Sequence, residues 1–276
     1  MLRRIACVIA TTVVAIGVLA TPASANDGQH RTPQYLALGD SLAFGYQPTR
    51  VFDQGYVNQL YASLHAKQPR LALTNLGCPG ETSRSLRVGG KCPYPQGNQL
   101  AAARAFLRAH RHSVRLVTID IGGNDVNGCV SFTTGIDNAC IQQGLRTIAA
   151  NLSEIVEELR EDAPEATIVG MTYYDTVLAA WLAGPAGQAL ATASLPLIHR
   201  LNRLLTRIYR DEHFRVADVA GAFATDDMTT LVNGVPLDVV RICQLTWMCA
   251  PKPLGPDIHA NQAGYGVIAK AFEAVL

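Results

Sequence analysis

Residues 35–45 read YLALGDSLAFG. A short apolar run, Tyr35 to Leu38, ends at Gly39, and Asp40 and Ser41 follow at once. Taken alone, Gly-Asp-Ser after a strand is an ordinary turn or the cap of a helix, because short polar side chains satisfy free backbone N–H groups there. The same position would also suit a nucleophile, since parallel sheets place their ligands beyond the carboxyl ends of the strands. The choice depends on what the rest of the chain brings to that edge.

Outward from this stretch, apolar runs alternate with helix-period segments. Strands are predicted at 35–39, 71–77, 114–122, 166–174 and 214–219, and helices at 55–67, 97–111, 140–164, 195–212 and 261–276. The run VRLVTIDIG at 114–122 is β-branched enough for a central strand buried on both faces. Repeated strand–helix alternation predicts an α/β fold, a parallel sheet with helices on both faces. No internal repeat or interdomain linker interrupts it, so residues 26–276 are expected to form one domain. The stretch 226–260 is expected as a long irregular segment. Its apolar residues, among them Met228, Leu231, Val235, Leu237, Val239, Val240, Trp247 and Met248, would either line an acyl pocket as a flap or pack onto the sheet as core.

Residues 1–25 carry Arg3 and Arg4, an apolar stretch from Ile5 to Ala20, and Ala23-Ser24-Ala25 as an A-x-A cleavage site. This predicts a secretory signal peptide, with an uncleaved anchor as the alternative. Without Arg3 and Arg4, 21 of the 23 basic residues face 22 acidic ones. That balance gives no reason to expect nucleic acid or an anionic surface as a partner, and no second run is long enough to span a bilayer.

Seven cysteines become six once Cys7 is set aside. An even number in an exported chain reads as a disulfide framework. They fall into local couples along the chain, predicting Cys78–Cys92, Cys129–Cys140 and Cys243–Cys249. No C-x-x-C or histidine cluster suggests a metal site.

Three further features fall where the loops of such a sheet would meet. Gly77-Cys78-Pro79-Gly80-Glu81-Thr82 follows the second strand, Gly122-Gly123-Asn124-Asp125 follows the third, and GPDIHANQAGYG at 255–266 places His259 just before the last helix. Ser41, a backbone N–H at Gly80, the Asn124 amide and His259 supply the nucleophile, oxyanion donors and base that acyl transfer needs. Each signal is weak singly. Their order along the chain carries the argument.

In that order, GDSLAFG, NLGCPGETS, IGGND and DIHANQAGY resemble the four sequence blocks of the SGNH hydrolases, the GDSL-type esterases and lipases, over 35–276. The chain is also similar to their secreted, three-disulfide branch from actinomycete-like bacteria. The resemblance implies a three-layer αβα sandwich with a five-stranded parallel sheet, of flavodoxin-like type. It implies Ser41 as nucleophile, His259 as base, and the Ser41 N–H, Gly80 N–H and Asn124 amide as the oxyanion hole. An α/β-hydrolase elbow, G-x-S-x-G, is disfavoured because Ala43 stands where glycine should.

One departure stands out. The family's acid usually lies three residues before the histidine, where this chain has Pro256, while Asp257 lies only two before. Either Asp257 orients His259 through a tighter turn, or a backbone carbonyl near Pro256 does so and leaves a dyad.

The expected function is a secreted serine hydrolase of small-molecule or lipid acyl esters. It would act as a monomer, without stable membrane insertion, metal or organic cofactor. Polysaccharide O-acetyl ester or phospholipid hydrolysis on the same fold are the alternatives. Few aromatic residues flank the motifs for stacking on sugars, which favours acyl esters. A chain that kept the fold for binding alone would be expected to lack one of Ser41, Gly80, Asn124 and His259, yet all are present.

Overall fold

The run QYLALG forms β1 (Gln34–Gly39), buried along its whole length. The computed structural model describes residues 31–276, so the leader expected over 1–25 lies outside the described residues. β1 pairs in parallel with β2 (Ala72–Asn75) on one side and β3 (Val114–Asp120) on the other. β4 (Thr167–Met171) and β5 (Arg215–Ala217) complete a five-stranded parallel sheet of order β2-β1-β3-β4-β5. This order reverses direction between β1 and β3, and at such a switch point the loops diverge and leave a crevice. Gly39 registers with Asp120 there, so the two strands end side by side.

Helices cover both faces. α1 (Ser41–Phe44) is one turn long. It is followed by α2 (Tyr56–Lys67), α3 (Ser83–Val88) and α4 (Gln99–Ala109). Then come α5 (Gly123–Val126), α6 (Asn138–Asp162) and α7 (Pro185–Asp211). α6 buries Ile148, Leu152, Ile155, Val156 and Leu159, a continuous helical stripe. Residues Thr32–Leu276 make one compact unit.

Two expectations are corrected. α7 begins at Pro185, ten residues before the predicted start at 195. The Ala-rich stretch 185–194 favours helix strongly enough to carry Pro196 inside it, with Pro185 occupying the first turn. The segment 226–260 is not irregular. It holds α8 (Leu237–Leu245), which buries Val239, Ile242 and Leu245 at three-residue spacing. It also holds a short antiparallel pair of β6 (Thr246–Trp247) with β7 (Asp257–Ala260). Val239 and Met248 belong to the main core, and α9 (Gln262–Glu273) closes the chain.

Disulfides join Cys78 to Cys92, Cys129 to Cys140 and Cys243 to Cys249. Each closes a loop that ends near the carboxyl edge of the sheet or in the segment ahead of β7. Among the described residues, no helix is long and apolar enough to cross a membrane.

Candidate active site

Where β1 ends, Gly39 takes φ +138°. A Cβ there would lie 2.4 Å from the Asp120 carbonyl oxygen and 2.6 Å from its carboxyl, so only glycine lets the strands approach. Asp40 then caps α1, accepting the Leu42 N–H at 2.9 Å, which puts Ser41 on the first turn of the helix. The turn reading and the nucleophile reading therefore describe one geometry: Asp40 is the cap, and Ser41 is presented by it.

Ser41 Oγ lies 2.8 Å from His259 Nε2. On the other side of the ring, His259 Nδ1 lies 2.7 Å from Asp257 Oδ1, and that same oxygen accepts the His259 backbone N–H at 2.9 Å. A two-residue spacing thus closes through a tight turn on β7. Of the two orienting groups weighed from sequence, the carboxylate meets the ring and the carbonyl near Pro256 does not. Burial works against the Asp257 charge, but hydrogen bonds from the His259 ring and backbone hold its carboxyl below the ordinary range. With Nδ1–H committed to Asp257, Nε2 is left to accept the Ser41 proton.

Asn124 is the second residue of α5, and its Nδ2 donates to the Glu81 carbonyl at 2.9 Å. Asn124 lines the same pocket as Ser41 and His259. Asp125 ties the third loop to the second, accepting the Ser83 N–H at 2.8 Å and hydroxyl at 2.6 Å. Gly80 sits at φ +77° in the turn that Glu81 N closes onto the Cys78 carbonyl, 3.1 Å away. It is one residue from the carbonyl that holds Asn124, though it is not itself in the pocket wall. The backbone N–H groups of Ser41 and Gly80 donate to no described protein group, which leaves both open to a ligand oxygen.

Beneath Ser41 lies a pair of carboxyls that the motifs did not reveal. Asp40 and Asp120 are 3% and 0% exposed. Asp120 accepts the Asp40 N–H at 3.2 Å, the Ala43 N–H at 3.3 Å and the Tyr56 hydroxyl at 2.5 Å. Asp40 accepts the Tyr173 hydroxyl at 3.0 Å. Burial, then the neighbouring Asp40 charge, pushes Asp120 well above the carboxylate range. Burial raises Asp40 too, but its hydrogen bonds from Leu42, Asp120 and Tyr173 oppose the rise. Burial and the neighbouring charge thus favour a proton on Asp120, the member of the pair pushed further up.

Tyrosines crowd the site, contrary to the expectation of few aromatic neighbours. The Tyr46 ring packs 4.4 Å from His259, Tyr265 donates to the Tyr46 carbonyl at 2.7 Å, and Tyr174 donates to the Ile258 carbonyl at 3.0 Å. They brace the histidine and are engaged with protein. The usable sequence signal was Asp120, a lone acid ending a β-branched run that otherwise reads as buried strand.

The pocket beside Ser41 holds about 130 Å³. Its wall is mostly aliphatic: Val130, Ile141 and Leu145 face Leu197, Ile198 and Leu201. Residues 226–250 contribute nothing to it, so of the two readings of that segment the acyl-lining flap is not the one found. Asp175 and Asp40 are the acids in the wall. Asp175 accepts the Val177 N–H at 2.9 Å and the Ser194 hydroxyl at 2.6 Å, and burial pushes it up to about 6.

The pattern that defines the GDSL-like Lipase/Acylhydrolase family matches residues 37–267. Among solved structures, the chain is similar to an extracellular lipase from Streptomyces rimosus, at 18% identity and TM-score 0.61, covering 88% of this chain and 100% of that one. It is similar to phospholipase A1 from Streptomyces albidoflavus, at 20% identity and TM-score 0.55, covering 89% and 100%. An acetyl-xylooligosaccharide esterase from Geobacillus matches at 20% identity and TM-score 0.55, covering 88% and 93%. At these identities the likeness is one of fold. No curated protein sequence shows a significant match.

Proposed function

Since the chain belongs to the GDSL-like lipase/acylhydrolase family, we propose that it is a secreted serine hydrolase of aliphatic carboxylic esters, acting through an acyl-enzyme. Ser41 attacks the ester carbonyl while His259 Nε2 takes its proton, and Asp257 holds the ring and stabilises the imidazolium. The developing oxyanion is received by the Ser41 and Gly80 N–H groups and the Asn124 amide. His259 returns its proton to the departing alcohol. Water, activated by the same base, then attacks the acyl-Ser41 carbonyl, and the acid leaves as Ser41 regains its proton.

The observation that carries this reading is the continuous contact from Asp257 through His259 to Ser41, with 2.7 and 2.8 Å between partners. The pocket supports the proposed substrate class. An engineered cavity of about 150 Å³ in another protein accepts benzene. A pocket of about 130 Å³ therefore takes an acyl tail of roughly four to six carbons on the same scale. Its aliphatic wall favours such a tail over an acetyl group on a sugar.

The test is a p-nitrophenyl ester series of increasing chain length, run on the wild type and on Ser41→Ala, with fluorophosphonate labelling of the folded protein. Turnover peaking near butyrate or hexanoate, abolished by the substitution, is the expected result. A peak at acetate would favour the polysaccharide-ester alternative. The absence of an adduct on Ser41 would remove the enzyme reading altogether.

A further inference from the structure

A second hollow opens next to the catalytic pocket. On α6, Gln142, Leu145, Arg146 and Ala149 recur at the spacing of one helical face, and on α7 Arg200, Arg203, Leu204 and Arg207 do the same. Together they line an open groove of about 630 Å³. Its floor is Leu145, Ala149 and Leu204, its rim is four arginines, and no acid lines it. Leu145 lines both this groove and the catalytic pocket, so the two are neighbours.

The arginines are what need explaining. Elsewhere on α6 the basic and acidic side chains meet: Arg87 pairs with Glu154, Arg104 with Glu158, Glu161 and Asp162, and Arg108 with Asp162. In the groove, Arg146 bonds only the neutral Gln143 side chain, at 2.8 Å. Arg200, Arg203 and Arg207 make no ion pair with any described residue. Asp211 and Asp218 share a hollow with Arg203 and Arg207 on the other flank of α7 yet form no ion pair with either, and Asp226 there is bound to His199. The whole chain is nearly neutral, so this concentration is local. Guanidiniums fork onto phosphate oxygens with two parallel donors each, and seven residues of helix spread Arg200 to Arg207 over roughly 10 Å.

We propose that this groove docks the protein on an anionic phospholipid surface, the arginines taking lipid phosphates and the Leu145–Leu204 floor meeting the upper part of an acyl chain. The docking does not rest on the ester-hydrolase reading above.

The experiment uses Ser41→Ala, so that nothing is hydrolysed. Its partition onto vesicles of phosphatidylcholine, with and without phosphatidylglycerol, is measured by sedimentation at low and at physiological ionic strength. The Ser41→Ala protein is expected to prefer the phosphatidylglycerol vesicles, and salt should weaken the preference. Adding Arg200→Gln, Arg203→Gln and Arg207→Gln together should lower the partition coefficient by about 100-fold, and each alone by about fivefold. The single variants keep the test decisive should the triple variant melt lower than its parent. The proposal is overturned by equal binding to both vesicle types, by arginine variants that bind phosphatidylglycerol as the parent does, or by tighter binding to an acidic polysaccharide such as polygalacturonate. A protein that docks but cleaves no ester would instead sink the hydrolase reading and leave the docking surface standing.

Discussion

Asp257 Oδ1 accepts two hydrogen bonds from one residue, the His259 backbone N–H at 2.9 Å and the ring Nδ1–H at 2.7 Å. The backbone bond fixes the turn, and the turn delivers the carboxylate to the ring despite a spacing one residue shorter than the family's usual pattern. Asp257→Asn keeps the size and removes the charge. Its amide can also turn a donor toward Nδ1, which would place the imidazole proton on Nε2, facing Ser41. We expect kcat to fall by two to about four decades, with KM for a soluble p-nitrophenyl ester little changed. Turnover near the wild-type value in steady-state kinetics would assign the orienting role elsewhere.

The buried pair under Ser41 makes a different prediction, because burial and the neighbouring Asp40 charge favour the protonated form of Asp120. If Asp120 is held neutral, Asp120→Asn retains both an acceptor and a donor in the same space. Stability should stay within about 1 kcal/mol and activity within a few fold. Asp120→Ala leaves the Asp40 N–H, the Ala43 N–H and the Tyr56 hydroxyl without their acceptor. Unfolding by urea should show a loss of about 3 kcal/mol or more, with slower turnover because α1 is no longer tied to β3. An Asn variant as damaged as the Ala variant would mean that Asp120 works as an anion.

The sheet was legible because its central strands are nearly unbroken apolar runs, and a doubly buried strand has no polar face to confuse the pattern. The order Ser41, Gly80, Asn124, His259 was legible because each lies at the end of a predicted element. What the sequence hid was contact across the fold. Nothing near Tyr46 in the chain says that its ring will rest on His259, 213 positions later. The apolar residues of 226–250 had the right composition for an acyl pocket. Their three-residue spacing, at Val239, Ile242 and Leu245, instead marked a helix with one core-facing side. The pocket wall came from α6 and α7, whose apolar stripes read as ordinary core, since a stripe facing a cavity looks the same as one facing a neighbour.

The position of that wall predicts where chain-length preference resides. Leu197→Trp puts a bulky ring into the pocket from α7 and should move the optimum from butyrate or hexanoate to acetate, with acetate turnover retained. Leu231→Ala, in the exposed hairpin of the 226–250 segment, should leave the profile as it was. Both are read from kcat/KM over the ester series. A profile that shifts with Leu231 and ignores Leu197 would return substrate preference to the segment from which the structure removes it.

Asp175 gives the protein a pH-dependent term of known sign. Its carboxyl is 4% exposed, and burial raises it from 3.8 to about 6, against hydrogen bonds from Ser194 and Val177 that favour the charge. The folded state therefore binds this proton more tightly than the unfolded chain does. The resulting stabilisation is complete below about pH 4 and is lost as pH rises through about 6. Two pKa units correspond to about 3 kcal/mol. Asp175→Asn cannot titrate, and it can keep both contacts because the Ser194 hydroxyl has a second acceptor in the Ala191 carbonyl at 2.8 Å. Urea unfolding of the two proteins from about pH 8 to about pH 4 should show the wild type gaining up to about 3 kcal/mol on the variant as the medium is acidified. Most of that gain should fall below pH 6. Parallel stability curves would show that Asp175 is ionised as easily in the folded protein as in the unfolded chain, so that burial does not raise it.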